Sequence, residues 1–252
     1  QGPIPGRGTA VLLSIASGAF LALHFALWIT SLSFTSVASS TVLVTTHPII
    51  VALVGFLILG EQLTMRSVLY MLAALAGSVV LVSGVLGAGS STALRNLPAF
   101  TGAVTVAGYM LIGRVVRRRL SVNVYTTIVY AVAASLLLAA ALVARVPLAP
   151  YSAREFLLFA ALALFCTLLG HSLFNWALKF VKPTLISTSI LGEPVIASIL
   201  AVIVFREIPT LFTLAGGAVI LTSIYLFVRE ETAAARRARR ARHNDVASRR
   251  EQ

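Results

Sequence analysis

Residues 40–64 read STVLVTTHPIIVALVGFLILGEQLT, and residues 186–210 read ISTSILGEPVIASILAVIVFREIPT. The two stretches pair without a gap at an offset of 146, which sets Pro48 on Pro194 and Glu61 on Glu207. Each has a Thr/Ser cluster, then an ionisable residue directly before a proline in mid-run, then an acid at the end. An interior proline removes one ladder hydrogen bond and clashes with the carbonyl one turn earlier, so Pro48 and Pro194 are read as helix kinks. A kink, a polar residue before it and an acid after it, all repeating in register, make a more specific match than apolar letters alone.

The surrounding chain says what solvent these stretches meet. Of 252 residues, 58% are apolar and 11% charged, against roughly 45–50% and about 25% in soluble domains. With a mean hydropathy of +0.95, the chain reads as an all-α integral membrane protein. Apolar runs of roughly 17–25 residues predict eight transmembrane helices near 10–31, 37–60, 65–87, 97–116, 122–145, 153–178, 183–205 and 209–228. Connections of about four to ten residues leave no room for an extramembrane domain, so function resides in the helical bundle.

The matched runs are the second and seventh helices. An odd number of spans apart, they cross the membrane in opposite directions, and inverted repeats of this kind mark secondary transporters. A five-helix period leaves the fourth and fifth helices without counterparts ahead of residue 10. Two further helices are therefore expected before Gln1, whose QGPIPGRG stretch also lacks the basic and apolar regions of a signal peptide. Residues 8–87 are then a partial first repeat of three helices, 97–228 a second repeat of five, and 229–252 a basic tail.

The net charge of +12 sits in loops and in that tail, not on a folded basic face, so nucleic acid is not an expected partner. Arg7, Arg114, Arg117, Arg118, Arg119, Lys179 and Lys182 fall on one side of the eight-span topology together with the arginines of ETAAARRARRARHNDVASRR. The positive-inside rule places that side, and the tail, in the cytoplasm, in a multi-pass plasma-membrane protein. The tail has good helix formers but no apolar stripe, and is expected to be solvated, with attraction to anionic lipid as a further reading. Cys166 is the sole cysteine, so no intrachain disulfide can form.

The tracts from about Ala22 to Gly87 and from Leu168 to Phe227 each resemble the EamA-type repeat of the drug/metabolite transporter superfamily. The resemblance rests on the Thr/Ser-rich segment, the central proline, and Leu59-Gly60-Glu61-Gln62-Leu63 leading into a glycine-containing last helix. The second copy departs from that pattern with Phe205-Arg206-Glu207-Ile208, and places Gly216 and Gly217 where the first has Tyr70 and Met71. It implies ten helices in the full protein and export or exchange of small metabolites, amino acids or drug-like solutes.

Ionisable residues at membrane depth demand a partner or a cavity. Glu193 stands before Pro194, where the broken ladder frees backbone groups beside a carboxyl able to bind a cation or a proton. His47 is its counterpart before Pro48. Facing one cavity, the two would form a titratable pair that swaps a proton for a substrate amine or holds a zwitterion. In the preceding helices lie His24 and Trp28, and His171 and Asn175 with Trp176, at spacings that put most of them on one helical face. His24, Trp28, His47, His171, Asn175 and Glu193 are the candidate substrate-binding residues. The competing readings are structural: a neutral His bonded to a helix carbonyl, polar groups that join helices, Trp176 as an interfacial anchor, and Glu61 and Glu207 as helix-end caps.

Three buried histidines with Glu193 could ligate zinc in an intramembrane enzyme, and a carboxylate ring would make a cation channel. No His-Glu-x-x-His or phosphate-binding glycine loop occurs in the sequence, and only one acid lies at depth. A transporter with a small-molecule substrate, driven by proton coupling, exchange or facilitated diffusion, and with no cofactor or metal, is the reading that accounts for duplication, inversion, kinks and polar residues together.

Overall fold

A computed structural model describes residues 4–34, 37–83, 93–206 and 208–248, and these are helical apart from short connections. In chain order the elements are α1 (Arg7–Ser31), α2 (Val37–Val44), α3 (His47–Leu59), α4 (Met65–Ser83), α5 (Ala93–Val116) and α6 (Val122–Val143). They continue with α7 (Ala153–Ala161), a π-helical stretch Leu162–His171, α8 (Ser172–Ala177), α9 (Pro183–Ile190), α10 (Glu193–Phe205) and α11 (Leu211–Ser248). Seven runs are long and apolar enough to cross a membrane, and α4 contributes a shorter apolar helix, Met65–Leu81. Residues 84–87 of the expected third span, Glu207, and Arg249 and Arg250 of the tail lie outside the described residues.

The offset of 146 recurs in the element bounds. The 25-residue runs Arg7–Ser31 and Ala153–Ala177 correspond end to end, as do α2 with α9 and α3 with α10, and α4 and α11 begin at corresponding residues. Each proline-bearing run, expected as one helix, is broken into 8 and 13 residues. The break falls two residues before the proline, because the second half can start only where the missing N–H is one of the unpaired first-turn donors. At the break, Ile49 N–H donates to Thr46 O at 3.0 Å and Val195 N–H to Gly192 O at 3.1 Å, again 146 apart.

The chain forms two compact units, residues 1–59 with 90–186 and residues 60–89 with 187–252. In the first, α1 lies along α5 and α6, while α2, α3 and α8 pack on α5. Gly108 admits the Phe20 ring and Gly113 the Leu178 side chain, where a Cβ would sit 2.8 Å from each. Ser121 caps α6 through Val124 N–H, and Ser152 with Glu155 forms a capping box on α7. Such caps orient the first turn and satisfy its free donors.

In the second unit α4 runs antiparallel to α11. Leu81 meets Gly216, Gly77 meets Val219 and Ile220, and Ser67 Oγ donates to Glu231 at 2.7 Å. These two helices are the corresponding elements of the duplication, and they run in opposed directions. Ala74 and Ile220, 146 apart, are both fully buried at the centre of this crossing. α11 continues as one helix through the basic tail to Ser248, with Arg237 paired to Glu230 at 2.8 Å.

Candidate functional site

In the first unit, one side of α1 carries His24 and, one turn on, Trp28. Their rings stack at 5.8 Å with planes 15° apart, as the spacing of four predicts. His24 Nδ1 is 2.9 Å from Gly102 O of α5, a cross-helix bond that fixes the imidazole. The π-helical stretch then delivers His171 to the same place, where its ring meets Phe25 at 5.5 Å and Tyr109 at 5.8 Å, both edge-on. One turn later Asn175, fully buried, donates from Nδ2 to the Tyr109 hydroxyl at 2.6 Å. π-Helical turns shift the register of the residues after them and occur often at functional sites; the spacing of four that follows sets His171 and Asn175 on a common side.

His47 opens α3, is 3% exposed, and bonds through Nδ1 to Val44 O at 3.0 Å. Its imidazole and that of His171 are each within electrostatic reach of His24. Thus five of the six residues singled out by sequence, His24, Trp28, His47, His171 and Asn175, belong to one unit, and the histidines gather around His24. Four buried polar atoms of this group have no hydrogen-bond partner: Trp28 Nε1, His47 Nε2, His171 Nδ1 and Asn175 Oδ1. Unsatisfied buried groups are uncommon because each forfeits its hydration. Their concentration around His24 marks this group as the candidate site.

Glu193 belongs to the second unit. It is the first residue of α10, exposed, and followed by the buried Pro194. Its carboxylate stands in the first turn, where free N–H groups and the helix dipole favour negative charge. An apolar crevice of about 310 Å³ in this unit lies between α10 and α11, lined by Val195, Ser198, Val202, Thr213 and Gly217. Glu61 is 8% exposed, and Trp176 is 51% exposed with its ring 5.0 Å from Phe180. Among the described residues no group of three His, Cys, Asp or Glu is placed to hold a metal ion.

Three participants are not legible in the sequence. Tyr109 lies in an apolar run whose pattern marks only a span. Tyr130, whose hydroxyl is 3.1 Å from Ser172 Oγ, is equally unmarked. Arg117 reads in the sequence as a topology signal, yet it is 3% exposed and donates from Nε to Asn175 O at 2.8 Å and from Nη1 to Leu120 O. With Arg114 Nη1 bonded to Leu178 O at 2.6 Å, it satisfies the terminal carbonyls of α8, so Asn175 is held by its backbone as well as its side chain. Desolvation of that guanidinium lowers its pKa.

Comparison with known proteins bears on the fold and the family. No curated protein matches the chain. A solved structure described only as a crystal structure of a protein superimposes with a TM-score of 0.71 at 21% identity, covering 89% of this chain and 77% of that one. The two therefore share a fold. The model of the EamA-like transporter family matches residues 1–83 and 95–229, nearly the whole chain, and the protein belongs to that family of multi-pass membrane transporters.

Proposed function

We propose that the chain is a secondary transporter that exports or exchanges small metabolites, amino acids or drug-like solutes. Residues 8–87 and 97–228 act as inverted repeats that exchange conformations to alternate access, and the tail after Arg229 lies on the cytoplasmic face of the plasma membrane. The observation that carries this reading is the pair of helix breaks in register at Thr45-Thr46 and Leu191-Gly192, directly before His47-Pro48 and Glu193-Pro194. Discontinuous helices with an ionisable residue at the start of the second half are how transporters present helix termini to solutes and coupling ions at membrane depth. The buried polar and aromatic group around His24 supplies the solute contacts, since ligand sites combine apolar walls with a few directed polar atoms. Glu193 supplies the exchangeable proton.

The test is flux in proteoliposomes containing the purified protein. Labelled amino acids, amphipathic cations and neutral heteroaromatic solutes are offered with and without a pH gradient. Saturable accumulation of at least one class, accelerated by the gradient, is expected. Flux that rises linearly with concentration and does not saturate would instead indicate a channel.

A further inference from the structure

The partnerless atoms of the first unit differ in kind, and together they specify a ligand. Trp28 Nε1 carries a hydrogen and can only donate, so it calls for an acceptor. Asn175 Oδ1 can only accept, while its Nδ2 donates to Tyr109, so the oxygen calls for a donor. His47 Nε2 and His171 Nδ1 take either role according to tautomer. The surroundings are aromatic: the stacked His24–Trp28 pair and the edge-on rings of Phe25 and Tyr109 against His171.

Charge narrows the choice. The first unit contains a single acid, Glu155, whose Oε2 accepts the Ser152 N–H at 2.6 Å at the start of α7. Its buried arginine, Arg117, is bonded to the backbone carbonyls of Asn175 and Leu120. The group around His24 thus offers imidazole, indole, phenol and amide, and no fixed charge. An ion drawn from water into such surroundings loses its hydration with no counter-charge to offset the loss. A neutral solute with one acceptor and one donor on the same edge satisfies the free atoms without that penalty.

We infer that the first unit binds a neutral, planar heteroaromatic solute with an amide-type edge, its C=O accepting from Trp28 Nε1–H and its N–H donating to Asn175 Oδ1. This names a substrate class for the site and rests on the transporter reading. It assigns the solute to the first unit and leaves Glu193 to the coupling proton.

The chain has two tryptophans, so Trp176→Phe makes Trp28 the sole tryptophan fluorophore, located at the site. The full chain with this substitution, in lipid nanodiscs, is titrated with nicotinamide, nicotinate and 1-methylnicotinamide, which share ring size and differ in charge. Nicotinamide should give a saturable change in Trp28 emission with an apparent Kd at least tenfold below that of either ion. Asn175→Leu should weaken it at least tenfold. Should that variant fold poorly, His171→Phe and Trp28→Phe, followed by ligand-induced thermal shift, carry the same expectation. Equal or tighter binding of nicotinate or 1-methylnicotinamide would overturn the inference, as would no saturable response to any of the three, or nicotinamide binding indifferent to these substitutions. Counterflow of labelled nicotinamide in proteoliposomes separates the two claims. Binding without flux contradicts the transporter reading alone, and saturable flux of another solute without nicotinamide binding contradicts this inference alone.

Discussion

At the first helix break the side chains of positions 45 to 47 close on their own segment, whereas the matching positions 191 to 193 hold an apolar residue, a glycine and an exposed acid. Thr45 Oγ1 donates to Val42 O at 2.9 Å, Thr46 Oγ1 to Leu43 O at 2.7 Å, and His47 Nδ1 lies 3.0 Å from Val44 O. The corresponding positions of the second break are Leu191 and Gly192, which have no hydroxyls, followed by an exposed Glu193. The same backbone interruption, set by a proline at the same repeat position, is thus closed by side-chain bonds in one copy. In the other it leaves a carboxyl at the open N-terminus of a helix. Symmetry of fold does not require symmetry of chemistry, and the copy whose break ends in an exposed carboxyl is the one suited to exchange a proton.

The largest effect concerns the corresponding positions Tyr70 and Gly216. A Cβ on Gly216 would lie 2.4 Å from Leu81 N and 2.6 Å from Leu81 Cα, an overlap with backbone that side-chain motion cannot relieve. Gly216→Ala should cost about 3 kcal/mol, at the upper end of overpacking penalties. Gly217→Ala, whose Cβ would meet only Val195 methyls at 3.8 Å, should be near neutral. Thermal unfolding of both variants in detergent decides this.

Next in size is the pair of residues before the prolines. Glu193→Gln keeps shape and hydrogen-bonding capacity but removes the titration, and should lower initial transport rates at least tenfold, about 1.4 kcal/mol in the limiting step, at unchanged membrane abundance. His47→Gln should cost less, because this buried imidazole is closed on Val44 O of its own segment. Normal rates for Glu193→Gln would make that residue structural and erase the difference between the two breaks.

The smallest expected effect is at Gly60 and Arg206, another pair 146 apart, both left-handed at φ 64° and 56°. Glycine adopts that conformation freely and a residue with a Cβ does not. Gly60→Ala should destabilise by about 1 kcal/mol, and Arg206→Gly should stabilise by somewhat less, because the glycine also loosens the unfolded chain. Chemical unfolding midpoints would reveal either sign.

Much of this architecture is legible in the sequence because proline and charge are loud signals in an apolar background. Pro48 and Pro194 define the offset, and the offset recurs in the element bounds. The division of each proline run into two helices is not legible, since hydropathy is blind to a two-residue break at Thr45-Thr46 or Leu191-Gly192. Five of the six candidate residues fall in one unit because histidine, asparagine and tryptophan stand out in a span. Tyr109 and Tyr130 do not stand out, and the π-helical register of Leu162–His171 has no compositional mark. Arg117 carries two messages, of which only its charge is readable; its burial against α8 depends on a fold that brings residue 117 to residue 175.

Two copies of one helical unit crossing the membrane in opposite directions should place equivalent residues on opposite faces. Gln62 and Ile208 occupy the same repeat position, 146 apart, and are both exposed. With Cys166 replaced by serine, Gln62→Cys and Ile208→Cys variants are treated in intact cells with a membrane-impermeant maleimide, before and after permeabilisation. Inversion predicts that Ile208→Cys labels in intact cells and that Gln62→Cys labels only once the cells are opened. Labelling of both from the same face would contradict it.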